Sequence, residues 1–292
     1  MNVYLNAVSA RFAEKLGLQT SNMLGQPLSF PYFNAFKEPL LSLERLYHYI
    51  DLEINRTLQR AGWDKSELKN IPILLGSTAY MISDCETRVA HHQALPKEYN
   101  LTTIAEDLGN RYQTEVFSFA TSCTSSAQAI GYAYKMLKVG IYKKALVIGF
   151  EMFNFEHFQS MNLLSQANEY QPFINSTGIV LGEGVGSVAL STEKNELFPC
   201  EIFGITTITD NENLTNSSET ALRQLLTNCL AKTNLKIENI QGIKVHGVGG
   251  NSDEMEKSVL QELFPNTETI LVKPYMGHTL GASGANRTLT KN

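Results

Sequence analysis

The side chains best placed to do chemistry in this chain are one cysteine and two histidines. Thr121-Ser122-Cys123-Thr124-Ser125-Ser126 puts a thiol where a strand pattern gives way to an apolar-periodic helix. There the helix's free N–H groups and the positive end of its dipole face the sulfur, so a thiolate is favoured and a lowered Cys123 pKa is expected. A thiolate is a nucleophile able to accept an acyl group. Cys123 also fits a second description, a small buried hydrophobe inside a Ser/Thr-rich cap. Lys244-Val245-His246-Gly247-Val248-Gly249-Gly250 sets an imidazole just after a short strand, in a glycine turn. Lys273-Pro274-Tyr275-Met276-Gly277-His278 repeats that arrangement and opens into Gly281-Ala282-Ser283-Gly284-Ala285. Loops beyond the carboxyl ends of parallel strands gather active sites in α/β proteins, so Cys123, His246 and His278 are expected to converge. Gly182-Glu183-Gly184-Val185-Gly186 invites a dinucleotide reading, but the residues after it alternate like a strand instead of opening a helix. Nicotinamide and flavin cofactors are therefore not expected.

The elements that must position these groups read as alternating strands and helices. Strands are predicted at Ile71 to Ser77, Glu115 to Ala120, Ala145 to Phe150 and Gly186 to Ser191, with helices at Leu101 to Tyr112 and Thr124 to Lys138. The pattern resumes with strands at Glu201 to Thr209, Gly242 to Val245 and Thr269 to Val272. Helices are predicted at Ser217 to Ala231, at Asp253 to Leu263 and from Leu280 onward. Buried apolar strands alternating with helices imply an α/β fold with a largely parallel sheet. Each half brings its elements in similar order, and the boundary falls near Glu193 to Pro199. The first seventy residues are less legible.

Composition narrows the function. The 292 residues are 43% hydrophobic and 18% charged, a balance that excludes a disordered or collagen-like chain. A formal net charge of −5 without a long Lys/Arg run argues against nucleic acid as main partner. No apolar run has the length of a membrane span, and the first residues, with no basic stretch before an apolar core, lead to no expectation of an export signal. Cys85, Cys123, Cys200 and Cys229 form no C-x-x-C pair and have no histidine at ligand spacing, so neither disulfide nor metal site is expected and the cytoplasm is the expected compartment.

Four segments together resemble the β-ketoacyl-acyl-carrier-protein synthases, condensing enzymes of thiolase-like fold. TSCTSSAQAIGYAY resembles that family's nucleophile segment and STGIVLGEGVGSVALS its glycine-rich segment. VHGVGGNSDEMEKSVL resembles the first histidine motif, and KPYMGHTLGASGA the lysine and second histidine motif. They stand in the family's order, and the resemblance covers about Ile71 to Ala285. It implies two related βα halves, residues 1–198 and 199–292, in one layered αβαβα core with the second half abbreviated. It also implies that Cys123 accepts the acyl group and that His246 and His278 hold the malonyl thioester carbonyl during decarboxylation. Lys273, five residues before His278, would support the histidine geometry. Acyl groups would arrive on the phosphopantetheine of a carrier protein, with no other cofactor. His278 in place of Asn resembles elongating synthases.

The departures point elsewhere. Where the family has two threonines that bond the phosphopantetheine arm, this chain has Val248 and Gly250. The sequence ends at Asn292, before the strands and Gly-Phe-Gly-Gly turn with which the family continues, a turn that supplies an oxyanion donor. Losing such a donor costs about 10²–10³ in rate. The expected function is thus a chain-length-factor-like partner of a full-length ketosynthase in a type II fatty acid or polyketide system, similar to short subunits of aryl-polyene systems. The alternative is an independently active ketosynthase. A Cys–His hydrolase would leave one of the two matched histidine segments unexplained. The resemblance further implies a homodimer or heterodimer pairing across Glu115 to Ala120. Lys135, Lys138, Lys143 and Lys144 are the expected contact for an acidic carrier protein.

Overall fold

A computed structural model describes every residue except 24–25, 39–40, 79, 91, 96–99, 153–161, 168, 176, 211–216 and 287–292. Its strands are β1 (Tyr4–Phe12), β2 (Gly17–Met23), β3 (Gln26–Phe33), β4 (Ile73–Gly76), β5 (Val116–Phe119), β6 (Lys144–Glu151), β7 (Leu181–Gly182), β8 (Gly184–Ser191), β9 (Cys200–Glu201), β10 (Gly242–Lys244) and β11 (Glu268–Ile270). The α-helices are α1 (Leu43–Ala61), α2 (Tyr80–Ala90), α3 (Leu101–Tyr112), α4 (Ser125–Lys138), α5 (Glu219–Thr233), α6 (Asp253–Leu263) and α7 (Ser283–Asn286). The predicted bounds of α3 and α6 match the observed ones. Both carry clear apolar periodicity, and Asn100 caps α3 by accepting from the Thr102 and Thr103 N–H groups.

The main sheet has the order β5-β4-β6-β8-β1-β9. The period of two along β6 divides the core. Leu146, Ile148 and Phe150 face Leu46, Ile50 and Ile54 of α1, whereas Ala145 and Val147 face Ala129, Ala133 and Leu137 of α4. The sheet is mixed, which corrects the expectation of a largely parallel one. β4 runs parallel to β5 and β6, but β8 is antiparallel to both β6 and β1. The antiparallel β1 lies in the poorly legible N-terminal region, which also supplies β2, β3 and α1.

A second correction concerns the strand expected at Glu201 to Thr209. Only Cys200–Glu201 pairs, antiparallel to Leu5 and Tyr4. The Ile202 N–H still reaches the Val3 carbonyl at 2.8 Å, but β1 begins at Tyr4 and its ladder runs out there. In the second half β10 and β11 pair in parallel. Val245, Leu260 and Phe264 form a small core there, with Leu226, Leu230 and Ile243 packed against it. The helix expected from Leu280 starts as a 3-10 turn, Leu280–Ala282, and continues as α7; its predicted continuation lies outside the described residues.

Candidate active site

Parallel pairing of β4, β5 and β6 brings their carboxyl ends together, and the nucleophile turn leaves from there. After β5 the chain reverses through Ser122, whose φ of 54° lies in the left-handed region that non-glycine residues rarely occupy. Its carbonyl accepts from Thr78 Oγ1 at 2.5 Å and from Ser125 Oγ at 2.7 Å, which pins the turn. Cys123 follows in a 3-10 turn that runs into α4, as its position in the sequence implied.

His278 Nε2 lies 3.1 Å from Cys123 Sγ. The backbone around His278 is fixed by β7: its N–H donates to Val180 O at 2.8 Å, and its carbonyl accepts from the Gly182 N–H at 3.1 Å. Ser283 Oγ stands 3.4 Å from its Nδ1. The His246 ring sits edge-on to His278, with centroids 5.5 Å apart and planes at 87°. Lys273 is buried; its ammonium bonds the His246 carbonyl and lies 3.4 Å from His246 Nδ1. An ammonium can only donate, so Nδ1 is the acceptor and the ring proton belongs on Nε2. All four residues singled out from the sequence therefore meet in one place.

The charge state of the thiol corrects an expectation. Burial pushes the Cys123 thiol above its ordinary value; the Ser122 hydroxyl and the Lys273 charge pull it down, and the Glu151 carboxylate pushes it up again. Cys123 packs beside Phe30, Tyr32, Leu181 and Leu280, and loss of solvent outweighs the polar groups of the turn.

Several functional side chains were missed by the sequence reading. Glu256 accepts from the His246 N–H at 2.6 Å and the Gly247 N–H at 2.8 Å. Asp253 accepts from Val248 N–H at 3.0 Å, Gly249 N–H at 2.9 Å and Phe173 N–H at 3.1 Å. These two acids in the first turn of α6 shape the histidine loop, and their spacing on a helix start was the available signal. The glycine-rich segment has a packing role. A Cβ on Gly182 would stand 2.1 Å from Met276 O, and one on Gly184 or Gly186 2.5 Å from the Asn286 side chain. The segment is glycine-rich because the histidine loop and α7 lie directly against it.

Between two of these glycines, Glu183 is buried and accepts from the Ala35 and Phe36 N–H groups at 3.1 and 3.2 Å. Burial pushes its carboxyl from the ordinary 4.5 up to about 7, against the pull of hydrogen bonds from Tyr32, Phe36 and Ala35. The folded state thus holds this proton more tightly than the unfolded chain. Its contribution is complete below about pH 4.5 and is lost as pH rises to about 7. Glu183→Gln should remove that slope. Urea unfolding at the two ends of this range should show the wild type losing on the order of 3 kcal/mol relative to the variant.

The basic cluster is smaller than its sequence suggests. Lys144 donates to Glu67 Oε2 at 2.5 Å and lies over the Trp63 ring, so its charge is matched locally. Lys135 lies over the Tyr132 ring. Among the described residues no group of three or more His, Cys, Asp or Glu is arranged to hold a metal ion. No helix among them is long and apolar enough to cross a membrane.

Comparison with known proteins shows the family and the fold. Residues 31–196 match the family model for the β-ketoacyl synthase N-terminal domain, and residues 200–290 match that for the β-ketoacyl synthase C-terminal domain. 3-Oxoacyl-[acyl-carrier-protein] synthase 1 of Buchnera aphidicola is 26% identical over 192 residues, 59% of this chain and 46% of that protein. Nodulation protein E of a Rhizobium species is 27% identical over 185 residues, 58% of this chain and 46% of that protein. The chain thus spans less than half the length of these two relatives. A solved ketosynthase complex with its chain length factor from Xenorhabdus doucetiae superposes with a TM-score of 0.80 at 19% identity, covering 98% of this chain and 82% of that one. At that identity it establishes the fold, which is the thiolase-like ketosynthase fold. With both domain models matched in order, this chain belongs to the β-ketoacyl synthase family.

Proposed function

We propose that the chain is a condensing subunit of a type II fatty acid or polyketide system, loading an acyl group on Cys123 and extending it with a malonyl unit. The contact of 3.1 Å between Cys123 Sγ and His278 Nε2 carries this reading. In the first step Cys123 Sγ attacks the thioester carbonyl of an acyl carrier protein. His278 takes the thiol proton and returns it to the departing phosphopantetheine thiol. In the second step the malonyl carboxylate leaves as CO₂, and its electron pair becomes the enolate of the thioester. His246 Nε2–H is one donor for the enolate oxygen, and His278 Nε2 becomes the second on taking up the proton that later returns to Cys123. The enolate carbon attacks the acyl-Cys carbonyl and expels the Cys123 thiolate, which is reprotonated, so extension takes up one proton overall.

A second reading, the chain-length-factor-like partner of a full-length ketosynthase, is favoured by the loop around His246. Val248 is buried and its carbonyl accepts from Tyr170 Oη at 2.9 Å. Neither Val248 nor Gly250 presents a hydroxyl to a pantetheine arm. One experiment separates the readings. The purified chain, alone and mixed with a full-length ketosynthase from the same source, is given acyl- and malonyl-carrier proteins. We expect acyl mass on Cys123 and a β-ketoacyl product from the chain alone. Product only from the mixture would favour the partner role, and no effect in either would overturn both.

A further inference from the structure

We propose that Glu151 is a positioning residue that clamps the Cys123 turn to the His278 loop. This deepens the proposed function, because it rests on Cys123 being the acyl acceptor. Glu151 ends β6 and is buried. One carboxylate oxygen, Oε2, accepts from the Thr78 N–H at 2.8 Å and from the Gly281 N–H at 3.0 Å. Oε1 accepts from Ser77 Oγ at 3.3 Å. The two backbone donors belong to different loops. Thr78 in turn donates through Oγ1 to the Ser122 carbonyl at 2.5 Å, one residue before the nucleophile. Gly281 lies three residues after His278, and the loops press so closely that a Cβ on Gly281 would stand 2.7 Å from Thr78 N.

A single oxygen thus ties thiol to imidazole through two short paths, although the two side chains are 155 residues apart. The carboxylate also stands among the charges that act on the thiol. His278 is in contact with Cys123 and His246 lies beyond it, while Lys273 favours the thiolate and Glu151 opposes it. A carboxylate in that place is unfavourable to the nucleophile, which a neutral residue would avoid. Its geometry explains it: one oxygen accepts two converging N–H groups while the other accepts from the Ser77 hydroxyl, and a carboxylate bonds these three donors more strongly than an amide can.

Glu151→Gln keeps the shape and removes the charge. Two rates are measured against pH on the full chain: iodoacetamide modification of Cys123, resolved from the other cysteines by mass spectrometry, and acylation of Cys123 by an acyl-carrier thioester. We expect the alkylation profile to shift to lower pH, with about a threefold faster reaction near pH 7. Acylation should slow by about tenfold, because the weaker bonds to an uncharged oxygen hold thiol and imidazole less closely in register. Mere structural loss would not accelerate one reaction while slowing the other. An alkylation profile that stays or moves to higher pH, or an unchanged acylation rate, would overturn the proposal. If Glu151→Gln does not fold, Thr78→Val decides. It removes the bond to the Ser122 carbonyl while leaving the buried charge, so acylation should slow by about tenfold with an unmoved alkylation profile, and an unchanged acylation rate would overturn the clamp. Alkylation needs no turnover, so failure of the condensing function leaves that readout intact.

Discussion

Cys123→Ala should remove the acyl-enzyme entirely and lower condensation by the isolated chain on the order of 10³-fold or more. The sulfur lies 3.1 Å from His278 Nε2, and alanine removes both the acyl acceptor and the proton that the imidazole would take. Residual decarboxylation of malonyl groups should persist, because the donors for the enolate oxygen are the histidines. Intact-protein mass and product assays check both statements. In a reconstituted mixture with a full-length ketosynthase, the same substitution tests the partner role directly. Undiminished product there, with none from the isolated chain, would assign the chemistry to the other subunit.

Gly182→Ala should be among the most damaging single substitutions. The added methyl would fall 2.1 Å from Met276 O, a backbone atom, and 3.3 Å from Gly277 Cα. A backbone carbonyl cannot rotate away as a flexible side chain would. Relief would have to separate β7 from the His278 loop and stretch the Gly182 N–H bond to His278 O, now 3.1 Å. Overpacking and the lost bond together should cost roughly 3 kcal/mol, read as a fall in the urea midpoint. Acyl loading of whatever remains folded should also drop, since the same bond holds His278 against Cys123. Wild-type stability and loading in this variant would mean that the loop has room the structure does not contain.

Much of this site was legible before any coordinates. Cys123, His246, Lys273 and His278 declared themselves through residue type, glycine or hydroxyl neighbours and placement after strands. The regular helices did the same, because an apolar stripe of period 3.6 and a capping residue are local properties of the chain. Tertiary packing decided which histidine touches the sulfur: His246 and His278 occupy equivalent strand-end positions in the sequence, and it is the His278 backbone that β7 holds. It also reversed the expected pKa shift of Cys123, because desolvation comes from residues as distant as Phe30 and Leu280. Glu151, one residue past the predicted strand, and Glu183, between glycines, carry no local mark of what they do. Their roles depend on N–H groups converging from loops far away in the chain, and convergence of that kind has no local sequence period. The strand expected after Cys200 failed for a related reason: β-pairing requires a partner alongside, and β1 does not extend that far.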